Sequence, residues 1–158
     1  MNFSMLWTRL VRLSLSSVVI FLIGVAGTAS AGDVETLYKA AGNGDSTQVS
    51  ALLDGGVDVN GRTATGSYAL NNAAVENEIE AIQILLDRGA NPNVQNSQGD
   101  TPLICATKYA GGKAATVKLL VEAGSDLAMQ DDDGKTALDY AKAKEQQEAI
   151  ALLETPGN

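Results

Sequence analysis

The sequence predicts an all-α fold, a solenoid-like stack of about four repeats, on three observations. The segment Gly99-Asp100-Thr101-Pro102-Leu103-Ile104-Cys105-Ala106 reads as a helix start: a turn glycine, a threonine N-cap and a proline at the first helical position, where its missing N–H is not needed. Weaker copies of that start recur, with Leu37, Leu70 and Leu103 spaced at about 33 residues and Leu138 about 35 further on. Finally, the chain of 158 residues is 45% hydrophobic but only 4% aromatic, which suits small-residue helix stacking better than a β-sandwich.

Several marks keep the same register. Alanines follow the leucines at Ala40-Ala41, Ala73-Ala74, Ala106 and Ala141. Leucine-rich triplets recur at Ala51-Leu52-Leu53, Ile84-Leu85-Leu86, Leu119-Leu120-Val121 and Leu152-Leu153-Glu154. A closing element recurs at 56–60, 89–93 and 124–128, each followed by the next turn glycine, Gly66, Gly99 or Gly134.

With these residues in place the chain resembles the ankyrin-repeat family. Gly-Asp-Thr-Pro-Leu at 99–103 matches the family's helix-opening motif, and Gly-Ala-Asn-Pro-Asn at 89–93 its helix-closing one. The resemblance implies helix-turn-helix repeats at approximately 33–60, 61–93, 94–128 and 129–154, with a β-hairpin-like finger at each junction. Each helix pair leaves an apolar face that only a stacked neighbour can bury.

Residues 1–31 read as a signal peptide and 32–158 as the repeat domain. Arg9 and Arg12 form a basic n-region, Leu13 to Val25 an apolar run, and Ala29-Ser30-Ala31 a small-residue cleavage motif. Cleavage between Ala31 and Gly32 is expected. The run is short for a membrane span and is interrupted by serines, so no membrane association is expected once the leader is removed. The expected address is a bacterial periplasm; an inner-membrane anchor facing the periplasm, or secretion, is the alternative. The lone cysteine, Cys105, reads as a small buried hydrophobe.

In the first repeat, an inner helix is expected near Thr36–Ala41 and an outer one near Thr47–Leu53. Lys39, at a position more often apolar in the family, reads as the polar face of a terminal repeat. The second repeat departs most from the family pattern: Tyr68-Ala69 stands where Thr-Pro would be, so the cap is lost unless Ser67 supplies it. Asn71 and Asn72 are expected either to bond a neighbouring finger or to face the groove. Asn77 replaces the inter-helix glycine, as a residue that tolerates the left-handed region. Ile79, Ile82 and Leu86 are expected as the core stripe of an outer helix over Glu78 to Asp87.

The third repeat is lengthened around Ala110-Gly111-Gly112, read as a longer turn that is either a tolerated insertion or a binding loop. In the fourth, Asp131-Asp132-Asp133-Gly134 lacks the alternating acids of a calcium loop and reads as a solvated finger tip. Glu145 and Gln146 replace the turn glycine and its follower, so a distorted turn is expected. Charged residues from Lys142 to Glu148 suit a C-terminal cap.

No histidine occurs in the chain, which removes the commonest general base and metal ligand. No phosphate-binding glycine loop is present either. An enzyme is not expected, and neither cofactor nor metal is implied. The formal charge is −8, and with the two arginines of the leader removed the remainder stands at −10. Such a surface repels phosphate backbones, so nucleic acid is not an expected partner.

The expected function is a non-catalytic protein–protein interaction module that binds through its concave finger and inner-helix surface. Family resemblance places contacts around the turn glycine and late in the inner helix. Here those positions are Arg62, Thr65, Ser67 and Glu76; Gln98, Asp100, Lys108 and Tyr109; and Asp132, Asp133 and Lys135. Tyr109 and Arg62 are the preferred anchors, and the acids would steer a basic partner. Alternatives are an immunity or inhibitor protein for a secreted or periplasmic enzyme, and an accessory factor in periplasmic oxidative-stress defence; the last is implied only by resemblance to exported bacterial members of the family.

Overall fold

A computed structural model describes residues 30–155, and within them the chain forms eight helices and no strand. In chain order these are α1 Ala31–Gly42, α2 Ser46–Asp54, α3 Ala69–Glu76, α4 Ile79–Asp87, α5 Pro102–Lys108, α6 Ala114–Glu122, α7 Ala137–Ala143 and α8 Gln147–Glu154. The odd-numbered helices pack in sequence as an inner layer and the even-numbered ones as an outer layer. Helix-turn-helix units are therefore stacked side by side.

The helix starts follow local chemistry. The hydroxyls of Thr101 and Thr136 accept the N–H groups of Ile104 and Asp139, capping α5 and α7. Helix α3 begins at Tyr68 with no side-chain cap; Ser67 does not supply one, and its N–H instead donates to the Thr63 hydroxyl. Asn77 ends α3 at φ 64° and Glu145 ends the turn after α7 at φ 56°, so both non-glycine replacements adopt the left-handed turn conformation that the repeat requires.

The core runs continuously through the stack. Leu37, Leu70 and Leu103 are each 1% exposed, flanked by fully buried alanines such as Ala41, Ala74 and Ala106. In α4 the buried stripe is Ala81, Ile82 and Leu85. Ile79, expected in it, is 39% exposed: as the first helical residue it lies on the far side of the helix from Ala81, and Leu86 is only partly buried. Cys105 is buried, and burial pushes its thiol up to about 12.

The finger turns share one scheme. Gly66, Gly99 and Gly134 donate their N–H groups to the carbonyls of Thr63, Asn96 and Asp131. The side chains of those residues cap the same turns: the Thr63 hydroxyl accepts from Ser67, Asn96 Oδ1 from Gln98 and Asp100, and Asp131 Oδ1 from Asp133 and Lys135. Neighbouring fingers touch where the Asp132 N–H donates to the Gln98 carbonyl at 3.1 Å. A Cβ on Gly99 would stand 2.7 Å from that nitrogen, which makes glycine necessary there. Asn60 and Asn93 tie each repeat's closing element to the next, accepting from Asn91 and Asp126 and donating to the carbonyls of Gly89 and Gly124.

Of the predicted signal peptide, residues 1–29 lie outside the described residues. Ala31 and Gly32 form the first turn of α1, where Asp33 accepts the Ser30 N–H at 2.7 Å. The 110–112 insertion is packed on the fourth repeat: Gly112 donates to the Ala106 carbonyl, and a Cβ on it would overlap the Gln146 side chain.

Candidate functional site

The inner helices and fingers of the first three repeats enclose a depression of about 320 Å³. Tyr38 enters from α1, Asn71, Asn72 and Val75 from α3, and Tyr109 from the end of α5; Ser67, Asn96 and Gln98 form the finger wall, with Cys105 at the base. Tyr109 is 47% exposed and is, with Ile79, one of two large apolar side chains left open among the described residues.

Both asparagines hold neighbouring repeats together. Asn71 Nδ2 donates to the Asp100 carbonyl at 2.9 Å and lies 3.5 Å from Cys105 Sγ. Asn72 Nδ2 donates to the Tyr38 carbonyl at 2.9 Å. The Asn71 amide thus supplies a bond from the second repeat to the third.

Beneath Tyr109 lies a buried charged cluster. Lys108 Nζ contacts Asp100 Oδ1 at 2.9 Å and Asp131 Oδ2 at 3.1 Å, while those side chains are only 0% and 1% exposed. The hydroxyls of Tyr109 and Tyr140 donate to Asp100 Oδ2 at 3.1 Å and Asp131 Oδ2 at 2.5 Å. The Lys108 ammonium also lies 5.1 Å from the Tyr140 ring centroid and 5.4 Å from that of Tyr109. Burial opposes the charge on Asp131, but the Tyr140 hydroxyl, the Lys135 N–H and Lys108 outweigh it and hold its carboxyl down to about 2. Burial likewise works against the Lys108 ammonium, and its bonds to both aspartates reverse the balance and raise its pKa. The Tyr109 phenol is raised by burial and by the Asp100 charge beside it.

This cluster separates the eleven expected contact residues into groups. Ser67, Gln98 and Tyr109 meet at the depression. Glu76 is exposed at the end of α3. Arg62 and Thr65 lie exposed on the second finger, where Arg62 Nε donates to the Gly66 carbonyl and Thr65 pairs with the Thr63 hydroxyl. Asp132, Asp133 and Lys135 are exposed on the fourth finger, with Lys135 Nζ 5.4 Å from the Tyr140 ring. Asp100 has no accessible side-chain surface and Lys108 is committed between two carboxylates; both act inside the repeat stack. Asp131, read as part of a solvated tip, is likewise buried, because the turn needs its carboxylate to cap two N–H groups. Tyr38 and Val75 complete the depression and escaped the sequence reading, since their register marks them only as inner-helix positions.

Comparison with known proteins decides the lineage. The family model described as ankyrin repeats (3 copies) matches residues 12–96 and 70–157, so that its first match starts within the predicted leader. The chain belongs to the ankyrin-repeat family. Ankyrin repeats are protein–protein interaction modules, generally without catalytic activity of their own. The chain is 39% identical over 94 residues, 59% of its length, to the Arabidopsis thaliana E3 ubiquitin-protein ligase KEG. It is 33% identical over 110 residues to the Drosophila melanogaster E3 ubiquitin-protein ligase Ufd4 and over 113 residues to the Caenorhabditis elegans E3 ubiquitin-protein ligase hecd-1, 68% of its length in each case. It spans only 6%, 4% and 4% of those relatives, so the likeness concerns a repeat segment of much larger proteins. Among the described residues, no helix is long and apolar enough to cross a membrane and no cluster of potential metal ligands occurs.

Proposed function

We propose that this ankyrin-repeat chain is an exported, non-catalytic module that binds a protein partner in its concave groove, centred on the depression between α1, α3 and α5. The observation that carries the reading is Tyr109. A tyrosine ring left half exposed at the mouth of a polar depression, with its hydroxyl anchored to a buried carboxylate, is a preorganised contact of the type that dominates interface energetics. Export rests on the basic, apolar and small-residue order of residues 1–31. A mature mass beginning at Gly32 would support cleavage, and an intact N-terminus would support a membrane anchor.

The test of binding is affinity capture with the full chain from a periplasmic fraction, followed by mass spectrometry. A captured protein is expected to bind the Arg62→Ala and Tyr109→Ala variants at least about tenfold more weakly, the scale of a lost anchor. Unchanged affinity for both variants, each verified as folded, would place the interface elsewhere. Within this reading, a captured exported enzyme that loses activity in the complex identifies an inhibitor or immunity protein. Capture of a peroxide-metabolising enzyme that stays active supports the accessory role in oxidant defence.

A further inference from the structure

The α3 side of the groove depression is a side of acceptors. Asn71 and Asn72 both commit their donor edges to backbone carbonyls, of Asp100 and Tyr38. Their amide oxygens are what remains. Asn71 Oδ1 is buried and has no hydrogen-bond partner, although the residue lines the depression and is itself only 3% exposed. A carbonyl dipole left uncompensated in a low-dielectric floor contributes negative potential above it. The two tyrosines reach the depression from the helices on either side of α3.

The surrounding charge has the same sign. Glu35 and Glu76 act on the Tyr38 phenol, which burial and then these carboxylates push above its ordinary value. Lys108, behind Tyr109, is already matched by two aspartates. Arg62, the cation of the second finger, donates its Nε to the Gly66 carbonyl and is not among the residues that line the depression. Buried acceptors, tyrosines and nearby carboxylates thus surround a depression that no cation lines, although Ser67, Asn96 and Gln98 on the finger wall bring donors as well, on a chain of net charge −8.

We infer that the depression between Tyr38, Asn71, Asn72 and Tyr109 receives a lysine or arginine side chain projecting from an extended segment of the partner protein. Val75 packs against the aliphatic stem, the tyrosine rings and amide oxygens face the charged head, and Glu76 attracts it at the rim. The inference rests on the groove being the binding face, and it fixes the chemistry of the residue that enters.

A random 12-residue peptide display library selected on the full chain tests it, with selections repeated on Glu76→Lys, an exposed and structurally undemanding change, and on Tyr109→Ala. Peptides dependent on Tyr109 are expected to share one fixed lysine or arginine. Replacing that residue by norleucine should abolish binding, and Glu76→Lys should weaken it about fivefold, a loss that high salt reproduces. Tyr109-dependent peptides with an apolar or acidic residue at the fixed position would overturn the inference while leaving the groove as the interface. Peptides that bind all variants equally would overturn both.

Discussion

The joint between the second and third repeats and the joint between the third and fourth solve the same packing problem with different chemistry. At the first, a neutral amide reaches across: Asn71 donates to the Asp100 carbonyl over a floor of Cys105 and small apolar residues. At the second, Lys108 is held between Asp100 and Asp131, with Tyr109 and Tyr140 closing the shell. The neutral joint borders the open groove, and an unpartnered amide oxygen remains at both joints: Asn71 Oδ1 at the first, and at the second Gln146 Oε1, whose Nε2 donates to the Thr107 carbonyl. The charged joint satisfies each carboxylate from more than one side and fixes Tyr109 from below. Rigidity is concentrated at the charged joint, where the ion cluster orders Tyr109, while the amide joint borders the open depression.

Lys108→Ala should cause the largest disruption, because it leaves two buried carboxylates facing one another. A loss of about 3–5 kcal/mol is expected, read as a lower urea midpoint. The triple variant Asp100→Asn, Lys108→Met, Asp131→Asn should recover much of it, since the penalty comes from unpaired charge. Next in size is Asn71→Ala, which strips the Asp100 carbonyl of its donor and should cost about 1–3 kcal/mol by the same measurement.

Acid should distinguish the joints by a smaller effect. The Asp131 carboxyl is depressed from 3.8 to about 2. Its contribution to stability is therefore complete above the ordinary carboxylate range and lost as pH falls from near 3.8 through about 2. In Tyr140→Phe one of the bonds that depress it is gone, so urea titrations should show a smaller acid-dependent loss that is complete at a higher pH. Glu145→Gly should stabilise by about 1 kcal/mol, since glycine carries no penalty at positive φ. Smallest of all, Arg88→Ala removes an exposed pair with Asp54 at 2.7 Å and should shift the midpoint by less than about 1 kcal/mol.

The helix start at Thr101 was readable because capping is local: its hydroxyl needs only the N–H of Ile104 three residues on. So was the left-handed turn at Asn77, which depends on one residue's own conformational range. The repeat register, carried by leucines and glycines at a fixed interval, located the fingers. The charged cluster was not readable, because Lys108 meets Asp100 and Asp131 across 8 and 23 residues of chain. A run of three aspartates gives no sign that its first member turns inward while the other two face water. The buried face of α4 was misassigned by one helical step, since Ile79 and Ile82 fit a core stripe as well as Ala81, Ile82 and Leu85 do. The groove itself is formed by residues drawn from three repeats, and their convergence exists only after stacking.

Hydrogen–deuterium exchange of the chain with and without its captured partner tests the central claim most directly. Added protection is predicted on the fingers and on α1, α3 and the end of α5, with α2, α4, α6 and α8 unchanged. Protection confined to those outer helices would contradict it.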